Sequence, residues 1–187
     1  MKTFFDEIVK LTIINGGEWG INHTKRLMKL VDIIADGEEY NEEVIWMTAH
    51  MHDWGAYGEW KMEDVDHVER SLQVVEPYLK EREYPDELTK QILDCIANHH
   101  SEENDLSLEA ALFRDADAVD FLGVVGVVRN FSRNPKELRK GFRVALAKRQ
   151  KLPGILTFPK AREMAKKRVV EMDNLLSQFE SDSWGYY

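Results

Sequence analysis

The sequence predicts an all-α fold on three observations. Apolar residues recur at three- and four-residue intervals along most of the 187 residues. No stretch alternates apolar and polar residues between hairpin-type turns. Asn, Ser, Pro and Gly stand where helices would begin and end. A chain that is 43% hydrophobic and 32% charged has enough apolar side chains for a core of its own. No internal repeat, low-complexity segment or linker divides it, so one domain over 1–187 is expected.

The elements follow in order. Val9, Leu11, Ile13 and Ile14 lie in a first helix expected to end at Gly16-Gly17, because paired glycines favour a C-cap. A second is expected from about Asn22 to Ala35, with Leu27, Leu30, Val31 and Ile34 on its inner face. Asn41 is placed to cap a third through Val44, Ile45, Thr48 and His52, stopping near Gly55. Trp54 to Asp64, with Gly55 and Gly58, reads as a loop. A fourth helix from Val65 to about Arg82, kinked at Pro77, precedes a fifth opened by Pro85 and running to His99 or His100. Ser107 caps a long apolar helix through Leu112, Val119 and Leu122 to Val128. Asn134-Pro135-Lys136-Glu137 has a cap residue, Pro at N1 and Glu at N3, the start signal of another helix. Pro153-Gly154 breaks it, and a last helix runs from Pro159 to about Phe179 before a loose tail.

Composition narrows the function. The net charge of −9 argues against general nucleic-acid binding. The charge is uneven: Arg133 to Arg168 holds thirteen Lys and Arg against Glu137 and Glu163, a local excess of +11. That stretch reads either as a pair of solvated helix faces or as a basic wall that attracts phosphate-bearing substrates. The single cysteine, Cys95, cannot form an internal disulfide, and no activating pattern surrounds it. No apolar run approaches membrane-spanning length, and the opening residues break their apolar run with Asp6 and Glu7, so a cytoplasmic protein is expected.

All six histidines, His23, His50, His52, His67, His99 and His100, lie in the first hundred residues. His52 and Asp53 are adjacent at a helix end, where imidazole and carboxylate can share a divalent ion. His23 lies one turn before Leu27 and so on the inner face of its helix. Asp117 lies one turn after Phe113 and one turn before Phe121, which puts a carboxylate on an apolar face. An unpaired charge there would cost several kcal/mol, so Asp117 needs a cation, a strong set of donors or a proton.

The ordered set His23, His52-Asp53, Asp117 resembles the H…HD…D signature of the HD superfamily. Arg114-Asp115-Ala116-Asp117-Ala118-Val119-Asp120 is similar to that family's late acidic segment. Asn22-His23-Thr24-Lys25-Arg26, His50-Met51-His52-Asp53-Trp54-Gly55, His67-Val68-Glu69-Arg70-Ser71 and His100-Ser101 look like blocks of a subgroup of small bacterial and archaeal HD hydrolases. The likeness spans about residues 20–131 well and Leu156 to Phe179 more loosely, so the domain is expected to have its core at 20–131 and its C-terminal helices over 134–180. It implies a helical bundle holding a divalent ion (Mn, Mg, Co, Ni or Fe) on His23, His52, Asp53 and Asp117. It also implies hydrolysis of a phosphate ester or anhydride, often of a nucleotide, with Asp53 at the centre of the chemistry.

By order of residues, a second ion would take His67 and either His99 or His100, with Asp53 bridging; His100 is preferred because His100-Ser101 matches the subgroup. The alternative makes His67 and His100 phosphate donors. Lys25, Arg26 and Arg114 are candidate phosphate contacts or surface and ion-pair residues. Asp120 reads as an acceptor for a ligand histidine or as a helix-packing contact. His50 and Asp115 are expected to face elsewhere. Ala56 stands where many relatives carry an acid and Ala118 where many carry a base, which leaves Glu59, Asp64 and Asp66 as weak substitutes for a general acid. Two other functions share the signature: a dinuclear iron oxygenase, and a catalytically silent nucleotide-binding module. The expected partner is a small phosphorylated molecule, and a homo-oligomer is left open.

Overall fold

The computed structural model describes residues 2–187, which form eight helices and no strand. They are α1 (Lys2–Ala35), α2 (Glu42–Met51), α3 (His67–Glu81), α4 (Asp86–Asn98), α5 (Leu108–Asp120), α6 (Gly123–Ser132), α7 (Leu138–Lys151) and α8 (Pro159–Asp182). Two short 3₁₀ turns, Trp54–Ala56 and Gly58–Trp60, fill the segment between α2 and α3. No helix among the described residues is long and apolar enough to cross a membrane.

Two expectations about boundaries are corrected and one holds. Within α1 the first helix ends where expected, at Gly17, which leaves helical geometry at φ 59° and ψ −160°; a second helix resumes directly after it, a few residues before Asn22, so the two meet at a kink. A residue without Cβ takes that conformation cheaply. The long apolar helix from Ser107 is divided at Phe121 and Leu122, where Gly123 adopts φ 80° and Arg168 of α8 donates to the Val119 carbonyl. That carbonyl also accepts the Leu122 N–H at 3.1 Å, so the arginine adds a second donor to it. Asn134 closes α6 instead of opening α7: its backbone N–H donates to Phe131 O at 2.9 Å and its side chain to Asn130 O at 3.0 Å. The next helix starts at Leu138.

Other starts follow their sequence signals. Asn41 Oδ1 accepts from the N–H groups of Glu43 and Val44, and Ser107 Oγ accepts from that of Ala110, both satisfying donors at a helix N-terminus. The apolar faces build two cores. One joins the end of α1 through Leu27, Val31 and Ile34 to α5, α7 and α8 through Phe113, Val119, Ala145 and Met172. The other joins the start of α1 at Ile8 to α2, α3 and α4 through Met47, Val75, Leu79 and Ile96. Helices α1, α2 and α5, which position His23, His52-Asp53 and Asp117, pack on one another.

Candidate metal centre

Three helices deliver the first four residues. His23 sits on α1 beyond the kink, His52 and Asp53 leave the end of α2, and Asp117 lies near the end of α5; all four are buried. His23 Nε2 is 3.1 Å from Asp117 Oδ1 and 4.0 Å from Asp53 Oδ2, and His52 Nε2 is 3.6 Å from Asp53 Oδ2. Tyr57 reaches Asp53 Oδ2 with its hydroxyl at 3.3 Å. Its ring lies so close to Gly16 that a Cβ there would come within 2.7 Å of it. The small residues beside the kink therefore seat the ring that orients Asp53.

The ring nitrogens are used unequally. His23 Nδ1 is 2.8 Å from Asp120 Oδ2, and His52 Nδ1 is 3.3 Å from the Ala49 carbonyl. An imidazole that donates from Nδ1 to an oxygen presents the lone pair of Nε2, the arrangement metal-binding histidines use. Both Nε2 atoms are buried without a hydrogen-bond partner, as is Asp117 Oδ1, because the 3.1 Å approach of His23 to Asp117 lacks hydrogen-bond alignment. Asp120 also accepts from Arg26 and Arg129, so two cations fix the carboxylate that fixes His23.

A second cluster adjoins the first. His67 opens α3, and His99 and His100 follow the last turn of α4, with ring centroids 4.1 Å apart. These three can present ligand atoms within 4.8 Å of one another, as can His23, His52 and Asp53. Each carboxylate faces both clusters. Asp53 turns Oδ2 toward His23 and Oδ1 to within 3.9 Å of His67; Asp117 turns Oδ1 toward His23 and Oδ2 to within 3.2 Å of His100. His99, set below His100 on sequence grounds, is the more buried of the two. Its Nδ1 is 2.7 Å from Ile96 O and its Nε2 has no partner.

Burial pulls His52 down, and burial together with His100 and His52 pulls His99 down to about 3, so both imidazoles are neutral at pH 7. His23 goes the other way: burial opposes its charge, but Asp117 and Asp120 outweigh it and raise the imidazole above its usual value. Burial opposes the charge on Asp117, but His100 and His23 outweigh it and hold the carboxyl well below its usual range. Asp53 is likewise held down by His52 and His23 against its burial. Ionised carboxylates and neutral imidazoles at His52 and His99 are in the protonation states that bind a divalent ion, whereas His23 would have to give up its proton to do so.

The HD domain family matches residues 20–122, which contain every residue of both clusters. The chain belongs to the HD-domain family. Solved structures share the whole architecture. YpgQ of Bacillus subtilis is 21% identical, with 95% of each chain covered and a TM-score of 0.71. A structure of YpgQ in complex with ADP has a TM-score of 0.70 over 97% of this chain and 93% of that one, at 21% identity. An HD-superfamily hydrolase of Bacillus thuringiensis is 22% identical, over 100% of this chain and 99% of its own, with a TM-score of 0.69. No curated protein matches the chain significantly.

In this HD domain a cavity of about 630 Å³ opens beside the clusters. Asp53, His67 and His100 line it together with Lys61, Arg133 and Lys148. Lys148 is half-buried with its ammonium 3.2 Å from the Phe121 ring centroid, and burial lowers it to about 7. Sequence reasoning placed Arg133 and Lys148 only within a broad basic stretch; it did not single out Lys148, Arg129 or Lys61.

The named phosphate candidates are placed differently. Arg114 is fully buried and donates to Glu103 O at 2.6 Å and to the Thr157 hydroxyl, so the structure does not bring it to the cavity. Lys25 is exposed on α1 and lines none of it, and Arg26 is engaged by Asp120 at 2.7 Å. His50 faces away, stacked on Trp46 with Nδ1 2.8 Å from the Trp46 carbonyl. Asp115 accepts the N–H groups of Thr157 and Phe158, each at 2.8 Å, and holds the start of α8. Glu59, Asp64 and Asp66 are exposed and do not line the cavity, whereas Ala56 does.

Proposed function

We propose that this HD domain is a divalent-metal-dependent phosphohydrolase acting on a phosphate ester or anhydride, a nucleotide in particular. The observation that carries the reading is the set of buried atoms without partners: Nε2 of His23, His52 and His99, and Oδ1 of Asp117. Each buried polar atom left unpaired costs about 1–3 kcal/mol, and one cation per cluster would satisfy them together. The residues fit the group: His23, His52, Asp53 and Asp117 would hold one ion, and His67, His99 and His100 a second, with both carboxylates between them. A divalent ion there would lower the pKa of a water molecule and offset charge on phosphoryl oxygens.

The chain's own residues supply the rest. Asp120 and the Ala49 carbonyl offer acceptors to Nδ1 of His23 and His52, favouring the tautomers whose opposite nitrogens are free to bind; the Arg129 guanidinium also approaches His23 Nδ1, at 3.1 Å. Arg133 and Lys61, with Lys148 charged in part at pH 7, line the same cavity and give it the positive charge that favours a phosphorylated substrate. ADP in the YpgQ structure supports a nucleotide substrate.

A screen of nucleotides and phosphate esters with Mn, Mg, Co, Ni and Fe tests the proposal. Turnover should need metal, and Asp53→Ala should abolish it while the helical circular dichroism stays unchanged. The pairing of two histidine clusters also favours a dinuclear iron oxygenase as a second reading. Oxygen consumption with iron and no phosphate release would select it.

A further inference from the structure

Trp19 lies on α1 two residues after the kink at Gly17 and one turn before His23. It does not line the cavity that contains Asp53, His67 and His100, yet its ring meets side chains that orient the proposed metal ligands. Tyr57 meets it edge-on, with centroids 6.3 Å apart and planes at 85°. The Arg129 guanidinium lies over it, 4.2 Å from the centroid, and the His23 imidazole is tilted against it at 6.0 Å.

Two of these neighbours lead to ligands. The Tyr57 hydroxyl reaches Asp53 Oδ2 at 3.3 Å. Arg129 Nη1 donates to Asp120 Oδ2, which in turn meets His23 Nδ1 at 2.8 Å. The other guanidinium nitrogens of Arg129, Nε and Nη2, are buried without a hydrogen-bond partner. A planar guanidinium bonded through one nitrogen is not fixed in orientation by hydrogen bonds, so the rings packed over it, Trp19 and Phe121 at 4.4 Å, set the direction in which Nη1 points. Trp19 is the ring that meets both Arg129 and Tyr57. Its own Nε1 is buried without a partner, so the indole acts here through its ring and not through a hydrogen bond.

We infer that Trp19 is a positioning residue of the metal centre, setting Asp53 through Tyr57 and His23 through Arg129 and Asp120, an inference resting on the reading of His23 and Asp53 as metal ligands. One indole thereby aligns a ligand carried by α1 with a ligand that leaves the end of α2. An aliphatic side chain could fill the same space, but it has no quadrupole to hold a guanidinium and no flat ring for the edge of Tyr57.

Two variants separate this role from space-filling. Trp19→Phe keeps a ring for the guanidinium and deletes an N–H that has no acceptor, whereas Trp19→Leu keeps apolar bulk without a ring. Manganese is titrated against each folded full chain in competition with a chelating dye, and the His23 Nδ1 resonance is followed in long-range proton–nitrogen NMR spectra of the metal-free chain. Trp19→Phe should bind manganese within about threefold of wild type, and Trp19→Leu should lose roughly tenfold, the low end for residues that orient a metal ligand, because Trp19 acts through intermediaries. The His23 Nδ1 resonance should stay in place in Trp19→Phe and move in Trp19→Leu, as the contact with Asp120 loosens. A Trp19→Leu protein that melts lower yet keeps its manganese affinity and its His23 resonance would overturn the positioning role and leave Trp19 a core filler. Equal losses in the two variants would overturn it as well. If Trp19→Leu does not fold, Trp19→Met, a pliant filler without a ring, takes its place. A wild type that binds no manganese would remove the metal-centre reading, and the resonance, which needs no ion, would then decide whether Trp19 positions His23.

Discussion

Asp120→Asn separates a ligand-orienting role from a packing role more sharply than any change to the residues proposed to hold the metal. Asp120 is 1% exposed. Its Oδ2 meets His23 Nδ1 at 2.8 Å and also accepts from Arg129, and its Oδ1 accepts from Arg26 Nε at 2.7 Å. Every neighbour is a donor, so an amide of the same shape must set its own NH₂ against at least one of them. Breaking one side of a buried ion pair costs about 3–5 kcal/mol. Because the Arg26 side chain is 35% exposed and partly solvated, the low end, about 3 kcal/mol, is expected. The separate effect is on the metal: with its acceptor weakened, His23 loses basicity and a fixed tautomer, which lowers affinity roughly 10- to 100-fold, or about 1.4–2.7 kcal/mol. Thermal melts report the first quantity, and competition of the folded variant against a chelating dye reports the second. A variant that melts lower but binds metal with wild-type affinity would refute the orienting role and leave Asp120 a helix-packing contact.

Three more outcomes follow from the same geometry. At saturating metal the wild-type chain should bind two ions. His67→Ala, His99→Ala and His100→Ala should each lower the stoichiometry toward one by elemental analysis, and a wild type that never exceeds one ion would remove the second centre. His50, away from the centre, is lowered by burial from 6.5 to about 4. The unfolded chain therefore binds the extra proton between those values, and stability contributed above pH 6.5 is lost as the pH falls toward 4. From pH 7.5 to pH 5 this one histidine should remove roughly 2 kcal/mol, so His50→Gln should show a correspondingly flatter acid limb in urea titrations, and parallel limbs would contradict it. Gly123→Ala should lower stability by about 1–2 kcal/mol in the same titrations. Its φ of 80° disfavours any Cβ, and the new atom would sit 3.2 Å from Arg168 Cγ; an unchanged midpoint would show that the turn relaxes.

How much could be read in advance depended on whether a residue's neighbours were local. Asp117 was legible because Phe113 and Phe121, one turn away on either side, already declared its face apolar, and a buried carboxylate demands a partner. His99 was not. His100 is preferred in the sequence only because His100-Ser101 matches a block of the family, and nothing local speaks for its neighbour. α4 ends at Asn98, and the two rings come together with centroids 4.1 Å apart. The division of α5 from α6 depends on Arg168, 49 residues beyond the carbonyl it bonds. Lys148 is the extreme case. Within its own helix it is one basic residue among Arg143, Arg149 and Lys151, with nothing in spacing or composition to set it apart. What distinguishes it is Phe121 against its ammonium and the lack of a carboxylate partner, both consequences of how α7 packs beside the turn that ends α5. Buried carboxylates and imidazoles announce themselves through the cost of burying them, whereas a cation such as Lys148 looks like ordinary surface charge until the tertiary structure sets it against an aromatic ring.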